Sequence, residues 1–265
     1  MADVTDWSDI FDRVFSSAPS GVEAEIWREA FGDEYPAEVQ PYSYTTRSEL
    51  ADFVLETHLS ATSLLVDVGC GRGGPGLWVA AASGASLLGV DISSGALAAA
   101  QQRADALALS SDVRFVLGDF ASIPLGDNSA AALMSVDALL FAPDKASAAR
   151  EIYRVLEPGG RFVATTWDYH RQPVGRPPQV SDHRPLLVDA GFEIDRYDDT
   201  PRWLYYQRRT NDLMLERVDE LAREEGVSED ELRASLLEMD ATFDTMIRRV
   251  FIVATKPFDH GAPPN

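Results

Sequence analysis

A short apolar run that ends in a glycine-rich loop is the feature that most constrains the fold of this chain. Leu64–Val68 is almost continuously apolar, which is typical of a strand buried on both faces of a parallel sheet. In the loop that follows, Gly69, Gly71 and Gly74 have the spacing G-x-G-x-x-G. Glycines lack a β-carbon, so such a loop turns tightly and its backbone approaches a ligand closely. We therefore expect a strand, a ligand-binding turn and a helix, in that order.

An acidic residue at a matching distance makes the glycine pattern more informative. Asp91 lies twenty residues after Gly71, at the end of the next predicted strand. A carboxylate at that place can accept hydrogen bonds from ribose hydroxyls. The pair predicts a binding site for an adenosine-containing ligand. The alternative is a glycine-rich connection that precedes a strand-end aspartate by chance.

Strands and helices alternate along the rest of the chain. The predicted strands are Leu64–Val68, Ala85–Asp91, Val113–Leu117, Ala130–Val136, Arg161–Trp167, Phe192–Tyr197 and Arg249–Thr255. The predicted helices of this part are Arg47–His58, one from Ser93 or Ser94 to about Leu109, Ala146–Leu156 and His183–Ala190. We expect Gly159-Gly160 to separate the third of these helices from the fifth strand. The alternation indicates a parallel sheet with helices on both faces, which binds ligands beyond the carboxyl ends of its strands.

The acidic residues are concentrated in two flanking segments that are predicted to be helical. Residues 1–40 contain ten Asp or Glu and two Arg, and residues 212–244 contain twelve and three. The second flank is predicted to hold a helix at Asn211–Glu225 that ends at Gly226. A second helix is expected after Ser228, which forms a capping-box pattern with Glu231, and its apolar stripe continues to Ile247.

Charge and cysteine content exclude several classes of function. The net charge of −20 disfavours binding to nucleic acid phosphates and to anionic membranes. One cysteine makes no internal disulfide, and no apolar run is long enough to span a bilayer. The acidic N-terminus lacks the basic start of a secretory signal, so we expect a cytoplasmic protein. The four histidines and the cysteine show no zinc-like spacing, so no metal is expected.

Five segments in order resemble the motifs of class I S-adenosylmethionine-dependent methyltransferases, and they are closest to the ubiquinone/menaquinone-type and natural-product enzymes. The segments are Val66–Gly73, Gly89–Ser93, Gly118–Phe120, Ser135–Ala138 and Arg154–Phe162. The aspartate two residues before the first glycine distinguishes the first motif from that of dinucleotide enzymes. The resemblance implies S-adenosylmethionine as cofactor, with binding residues Tyr44, Asp67, Gly69, Cys70, Gly71, Asp91, Ile92, Asp119, Phe120 and Ser135.

The same resemblance implies the fold and the order of the domains. It indicates a doubly wound α/β fold with a mostly parallel, seven-stranded, Rossmann-like sheet, an antiparallel last strand and added lid helices. The expected segments are an N-terminal helical lid at 1–46, the cofactor-binding core at 47–200, a helical lid insertion at 201–248, and the last strand with a tail at 249–265.

The acceptor side of the site has fewer signals. His170 follows the fifth strand and is the candidate general base, although a solvent-facing loop histidine is the alternative. Asp137 is a second candidate. Cys70 is expected to act through its backbone, and His58 and His183 are expected to be ordinary helix residues, with His260 in the tail. An aromatic acceptor pocket or plain packing is equally open for five side chains, those of Phe141, Trp167, Trp203, Tyr205 and Tyr206.

Three functions remain open from the sequence. The first is methyl transfer to an O, N or C nucleophile of a small organic molecule in secondary or cofactor metabolism. The second is a cofactor-binding cyclase of natural-product biosynthesis that transfers no methyl group. The third is a nicotinamide-dependent oxidoreductase, which Asp67 and the Asp119-Phe120 pair argue against. The acidic lid is expected to be a solvated outer face, or else to favour a neutral or cationic acceptor.

Overall fold

A computed structural model describes residues 7–15, 21–108 and 112–258. Within these residues one seven-stranded sheet has the strand order β3-β2-β1-β4-β5-β7-β6. The first five strands pair in parallel, whereas β7 lies antiparallel between β5 and β6. The strands are β1 Leu64–Val68, β2 Ser86–Asp91, β3 Val113–Leu117, β4 Ala130–Val136, β5 Leu156–Tyr169, β6 Glu193–Asp199 and β7 Met246–Thr255.

Helices cover both faces of this sheet and one edge. The helices are α1 Trp7–Phe15, α2 Gly21–Phe31, α3 Arg47–Glu56, α4 Gly74–Ser83, α5 Ser94–Leu107, α6 Lys145–Val155, α7 Arg184–Ala190, α8 Trp203–Glu216, α9 Val218–Glu225 and α10 Glu229–Phe243. One buried apolar cluster packs α6 and α7 on the sheet, and a second packs α3, α4 and α5 on it. The expected doubly wound α/β fold with an antiparallel last strand is therefore confirmed.

The two acidic flanks come together as a separate helical layer. Ile26 and Trp27 of α2 share a buried cluster with Tyr206 and Leu213 of α8 and with Leu221 of α9. The Glu224 carboxylate accepts hydrogen bonds from the first two backbone N–H groups of α2. These N–H groups have no partner within their own helix, so an acid supplied from α9 ties the two flanks together.

Several predicted boundaries are wrong, each for a local physical reason. The predicted helix Asn211–Glu225 is two helices, with a break at Arg217, and the first of them begins eight residues earlier at Trp203. Ser228 precedes α10 without a side-chain cap bond, so the capping box is not formed. Ile247 lies in β7, because α10 ends at Phe243.

Two further predictions differ from the structure, one for a glycine pair and one for a histidine. β5 continues through Gly159-Gly160, because their backbone groups exchange hydrogen bonds with Lys256 after β7. His58 lies beyond the end of α3 with φ of +49°, so it is not a helix residue. The predicted end of α5 at Leu109, the acidic start at residues 1–6 and His260 in the tail lie outside the described residues.

In the described residues, no helix is both long enough and apolar enough to cross a bilayer.

A buried arginine joins the sheet to the start of α3. Arg249 of β7 is 1% exposed, and its Nε donates to Asp137 Oδ1 at 2.9 Å, while its Nη1 donates to Glu49 Oε1 at 2.6 Å. Asp137 follows β4 and has φ of +54°. Glu49 also accepts the backbone N–H of Thr46 in a capping box that begins α3. One cation thus forms ion pairs with two buried carboxylates from distant parts of the chain.

We predict that Arg249→Met lowers the free energy of unfolding by about 3–5 kcal/mol, because it leaves two buried carboxylates without a counter-charge. Urea unfolding measures the change. Arg233→Met is the matched control, since Arg233 forms an exposed pair with Glu229 and its loss should cost less than about 1 kcal/mol. Equal unfolding midpoints for the two variants would contradict a structural role for the buried arginine.

Candidate active site

The glycine loop lies at the carboxyl end of β1 and is held against the neighbouring strand. The backbone N–H groups of Gly69 and Cys70 donate to the Val90 carbonyl at 2.8 and 3.2 Å. Gly69 has φ of +74°, and a β-carbon there would lie 2.2 Å from the β-carbon of Ala138. Any larger residue at position 69 therefore meets both backbone strain and a side chain from the end of β4.

Asp91 connects this loop with the start of α5. Its Oδ2 accepts the N–H of Gly71 at 2.8 Å, and its Oδ1 accepts the N–H of Ser93 at 2.9 Å. The residue is 7% exposed, and burial raises the pKa of the carboxyl group. The structure thus brings together the glycine and the aspartate that the sequence pattern paired.

Two buried polar atoms beside the loop have no hydrogen-bond partner in the described part of the chain. They are Oδ1 of Asp67 at the end of β1 and Oγ of Ser135 in β4. Burial, and then the charge of Asp91, raise the pKa of Asp67 to about 7. Buried polar atoms are normally hydrogen-bonded, so these orphaned atoms mark a place where a polar ligand can be held.

The remaining residues predicted to bind the cofactor differ in burial and in hydrogen bonding. Phe120 is buried near Gly69, with a ring carbon 3.9 Å from the position of an added β-carbon. Ile92 is partly buried. Asp119 is exposed, and its Oδ1 accepts the backbone N–H groups of Ala121 and Ser122. The Cys70 thiol is buried, which raises its pKa well above the ordinary value and argues against a nucleophile.

Tyr44 contacts both the sheet and the helical layer. Its backbone N–H donates to Asp137 Oδ2 at 2.9 Å, and its hydroxyl lies 3.8 Å from the sulfur of Met239 in α10. Its ring centre is 5.2 Å from that of Trp27 in α2. Asp137, the second candidate base, is engaged by this N–H and by the Arg249 guanidinium.

Helix α1 covers the glycine loop, and the sequence pattern did not reveal these contacts. Asp12 Oδ1 accepts hydrogen bonds from the Ser93 hydroxyl at 2.7 Å and from the Gly95 N–H at 3.2 Å. The Phe15 ring lies 3.5 Å from the position of a β-carbon on Gly71. The four-residue spacing of Trp7, Phe11 and Phe15 was the available signal, since it places these rings on one helix face.

An aromatic cluster lies at the end of β5, beyond the glycine loop. We use this name for the buried Leu140, Trp167 and Tyr169 together with Tyr44, Phe141, Trp203 and Met246, which pack against them. Trp7 and Phe11 of α1 pack on Phe141, with ring centres 4.7 and 4.9 Å away. Three of the five aromatic residues predicted for an acceptor pocket belong to this cluster. Tyr206 instead stacks on Phe31, and Tyr205 is half exposed.

The histidines lie in contrasting environments. His170 is exposed at the end of β5, and its backbone N–H donates to Thr245. His183 is 2% exposed, and its Nδ1 lies 2.9 Å from Oδ1 of Asp168, which also accepts the Tyr197 hydroxyl. The expectation that His183 is an ordinary helix residue is wrong, because it precedes α7 and belongs to a buried polar cluster. Across the residues with described positions, no group of three His, Cys, Asp or Glu could hold a metal ion.

Comparisons with known proteins agree with this geometry. Residues 66–164 match the family model described as a methyltransferase domain. The chain is 28% identical over 167 residues to a sterol 24-C-methyltransferase of Pneumocystis carinii, covering 54% of this chain and 44% of that protein. It is 31% identical over 128 residues to methyltransferase GfsG of Streptomyces halstedii, covering 48% and 46%. The matched part is thus less than half the length of these curated relatives.

A solved structure matches nearly the whole chain. The [4+2]-cyclase SpnF has a TM-score of 0.73 and 25% identity, and the match covers 95% of each chain. A match of this coverage extends well beyond residues 66–164. Residues 66–164 of this chain are therefore similar to a methyltransferase domain, as the resemblance of its motifs predicts.

Proposed function

We propose that this protein transfers the methyl group of S-adenosylmethionine to an O, N or C nucleophile of a small, largely apolar molecule, in secondary or cofactor metabolism. The observation that carries the proposal is the glycine loop tied to Asp91 inside the matched segment 66–164. A loop of this kind at the carboxyl edge of a parallel sheet suits an adenosine-containing ligand.

The residues present fit this cofactor. The Gly69–Gly71 backbone and the Asp91 carboxylate are the groups for the ribose, and Ile92, Asp119 and Phe120 surround the place for the adenine. Asp119 uses one carboxylate oxygen in its own turn, so the second oxygen is the one for the base. Asp67, Cys70, Ser135 and Tyr44 are the residues for the remaining part, and the orphaned oxygens of Asp67 and Ser135 give it polar partners.

The chain's own residues position the reactants and exclude water. When bound, the cofactor supplies a methyl group on a positively charged sulfur that is already activated for transfer. Helix α1 closes over the loop through Asp12 and Phe15, which removes water from that edge of the sheet. Correct placement of two reactants contributes several kcal/mol to a barrier, up to about 7–11 kcal/mol in the best cases.

The aromatic cluster supports an apolar acceptor. Its side chains are nearly all apolar or aromatic, and it lies at the same sheet edge as the glycine loop. Ligand sites of this kind bind apolar molecules and orient them with a few polar groups. The relative from Pneumocystis carinii is named as a sterol methyltransferase, which is consistent with an apolar acceptor class.

A cyclase that binds the cofactor without methyl transfer is the second candidate. The likeness to SpnF over 95% of both chains favours it, because the match includes the helical flanks as well as the common core. An apolar aromatic cluster also suits the folding of a polyunsaturated substrate. The methyltransferase domain match and the methyltransferase relatives favour methyl transfer over this alternative.

We predict that the purified protein, given S-adenosylmethionine and a panel of apolar acceptors, releases S-adenosylhomocysteine together with an acceptor that is heavier by one methyl group. Mass spectrometry of both products measures this. A product isomeric with its substrate, formed while the cofactor stays intact, would instead establish the cyclase. Binding of NAD without binding of S-adenosylhomocysteine in calorimetry would contradict both candidates.

We predict that Asp91→Ala and Gly69→Val each weaken binding of S-adenosylhomocysteine. Loss of hydrogen bonds to a charged group costs about 1.5–3 kcal/mol, which corresponds to about ten- to a hundredfold in affinity for Asp91→Ala. Gly69→Val places a branched side chain against Ala138. Calorimetric titration measures both affinities.

Controls for these variants are available in the same chain. Asp112→Ala removes an exposed carboxylate before β3, and Gly126→Ala adds a β-carbon with no atom within 4 Å. Both controls should bind the ligand like the natural protein. Circular dichroism verifies that the Gly69 variant is folded. Unchanged affinity in a folded Gly69→Val protein and in Asp91→Ala would contradict the proposed cofactor site.

His170 remains our candidate base for acceptors that must lose a proton. We predict that His170→Ala lowers turnover by about a hundredfold or more, because a positioned general base contributes about that much. Affinity for S-adenosylhomocysteine should stay within about twofold. His58→Asn, at another exposed histidine, is the matched control. Full activity of the His170 variant would remove this residue from the mechanism.

A further inference from the structure

A cation is stacked on one ring of the aromatic cluster and on one ring of α1. Arg176 lies in the loop between β5 and α7, and its guanidinium carbon is 4.9 Å from the ring centre of Trp7 and 5.1 Å from that of Phe141. The side chain is partly buried, and burial lowers its pKa below the usual arginine value. A guanidinium remains charged at neutral pH in spite of such a decrease.

This cation has no carboxylate partner among the residues that the structure describes. Two arginines near the same sheet edge are paired, because Arg249 contacts Asp137 and Glu49, and Arg248 contacts Asp168. The charge of Glu238 in α10 acts on Arg176, yet Glu238 is exposed and forms no ion pair with it. The two rings stabilise the cation in part, but they accept none of its N–H hydrogen bonds.

A second donor without a partner belongs to the same cluster. Tyr169 is 3% exposed, and its hydroxyl has no hydrogen-bond partner within the described ranges. Burial raises the pKa of this hydroxyl, so it is protonated at neutral pH and can donate. The Phe141 ring on which Arg176 stacks packs against the buried group that includes Tyr169, so the two donors lie on the same side of the cluster.

We propose that Arg176 and Tyr169 form a subsite for an anionic oxygen of the acceptor, a carboxylate or an enolate. The subsite rests on the proposed function, since it assigns a chemical class to the molecule that this edge of the sheet receives. A buried donor without a partner is unfavourable, and an oxyanion is the acceptor that suits both a guanidinium and a hydroxyl. Hydrogen bonds between an ionised donor and an ionised acceptor are about twice as strong as neutral ones.

The surroundings limit which molecules this subsite takes. Apart from the two donors, the contacts around Arg176 are the rings of Trp7 and Phe141, so a small hydrated anion gains little there. The favoured ligand is an apolar body that carries one oxyanion.

Two fluorescent probes of the same shape test the subsite. 8-Anilinonaphthalene-1-sulfonate is an apolar anion, and N-phenyl-1-naphthylamine is the same ring system without the sulfonate. We expect the natural protein, with S-adenosylhomocysteine present, to bind the sulfonate probe at least about tenfold more tightly than the neutral probe. Fluorescence titration measures both affinities.

The variants separate a charge effect from a packing effect. Arg176→Gln should weaken binding of the sulfonate probe by about tenfold and change binding of the neutral probe by less than about twofold. Arg176→Lys should restore part of the loss, and Tyr169→Phe should weaken the sulfonate probe by about threefold. Arg171→Gln, at an exposed arginine of the same loop, should leave both affinities unchanged.

Each other outcome overturns the subsite. A natural protein that binds both probes equally, or an Arg176→Gln variant that keeps the preference for the sulfonate, excludes anion recognition by Arg176. An equal loss for both probes assigns the residue to packing alone. Titration with S-adenosylhomocysteine on the same samples reports on the proposed function separately, since its failure in the natural protein removes the cofactor site whatever the probes show.

Discussion

The ion cluster of Arg249 with Asp137 and Glu49 is the interaction on which the rest of the site depends. It joins the end of β4, the antiparallel strand β7 and the start of α3, three elements that are distant in sequence. Buried charges are stable only beside partners of opposite charge, so the contacts of Arg249 hold each of these elements to one position. Asp137 in turn receives the backbone N–H of Tyr44 and precedes Ala138, which packs on the glycine loop.

The glycine loop and α1 form the second level of organisation. Asp91 accepts a hydrogen bond from Gly71 of the loop, and α1 packs over the loop through Asp12 and Phe15. The loop therefore lies between the sheet edge and a short helix. A site built this way can close over a ligand while its base stays fixed, which suits a reaction that depends on positioning and on exclusion of water.

The acceptor side follows from packing around β5. Trp167 and Tyr169 lie on one face of this strand and contribute to the aromatic cluster, whereas Asp168 lies on the other face with His183 and Tyr197. His170, which was singled out from the sequence, comes directly after the end of β5 and is exposed, whereas the buried His183 contacts Asp168. The net charge of −20 comes mainly from the two acidic flanks. Arg176, which stacks on Trp7 and Phe141, is a positive charge at the acceptor side.

Local patterns in the sequence determined the strands of the core, the glycine loop and the pairing of Gly71 with Asp91, because these depend on short apolar runs and on residues with special backbone freedom. The bounds of β1, β3 and β4 agree with their predictions, since each run ends where apolar residues end. Tertiary structure alone decided the partner of Arg249, the cover provided by α1, the burial of His183 and the position of Arg176. These features join residues far apart in the chain, and a charge or ring is assigned its partner only when the packed layers bring the two together.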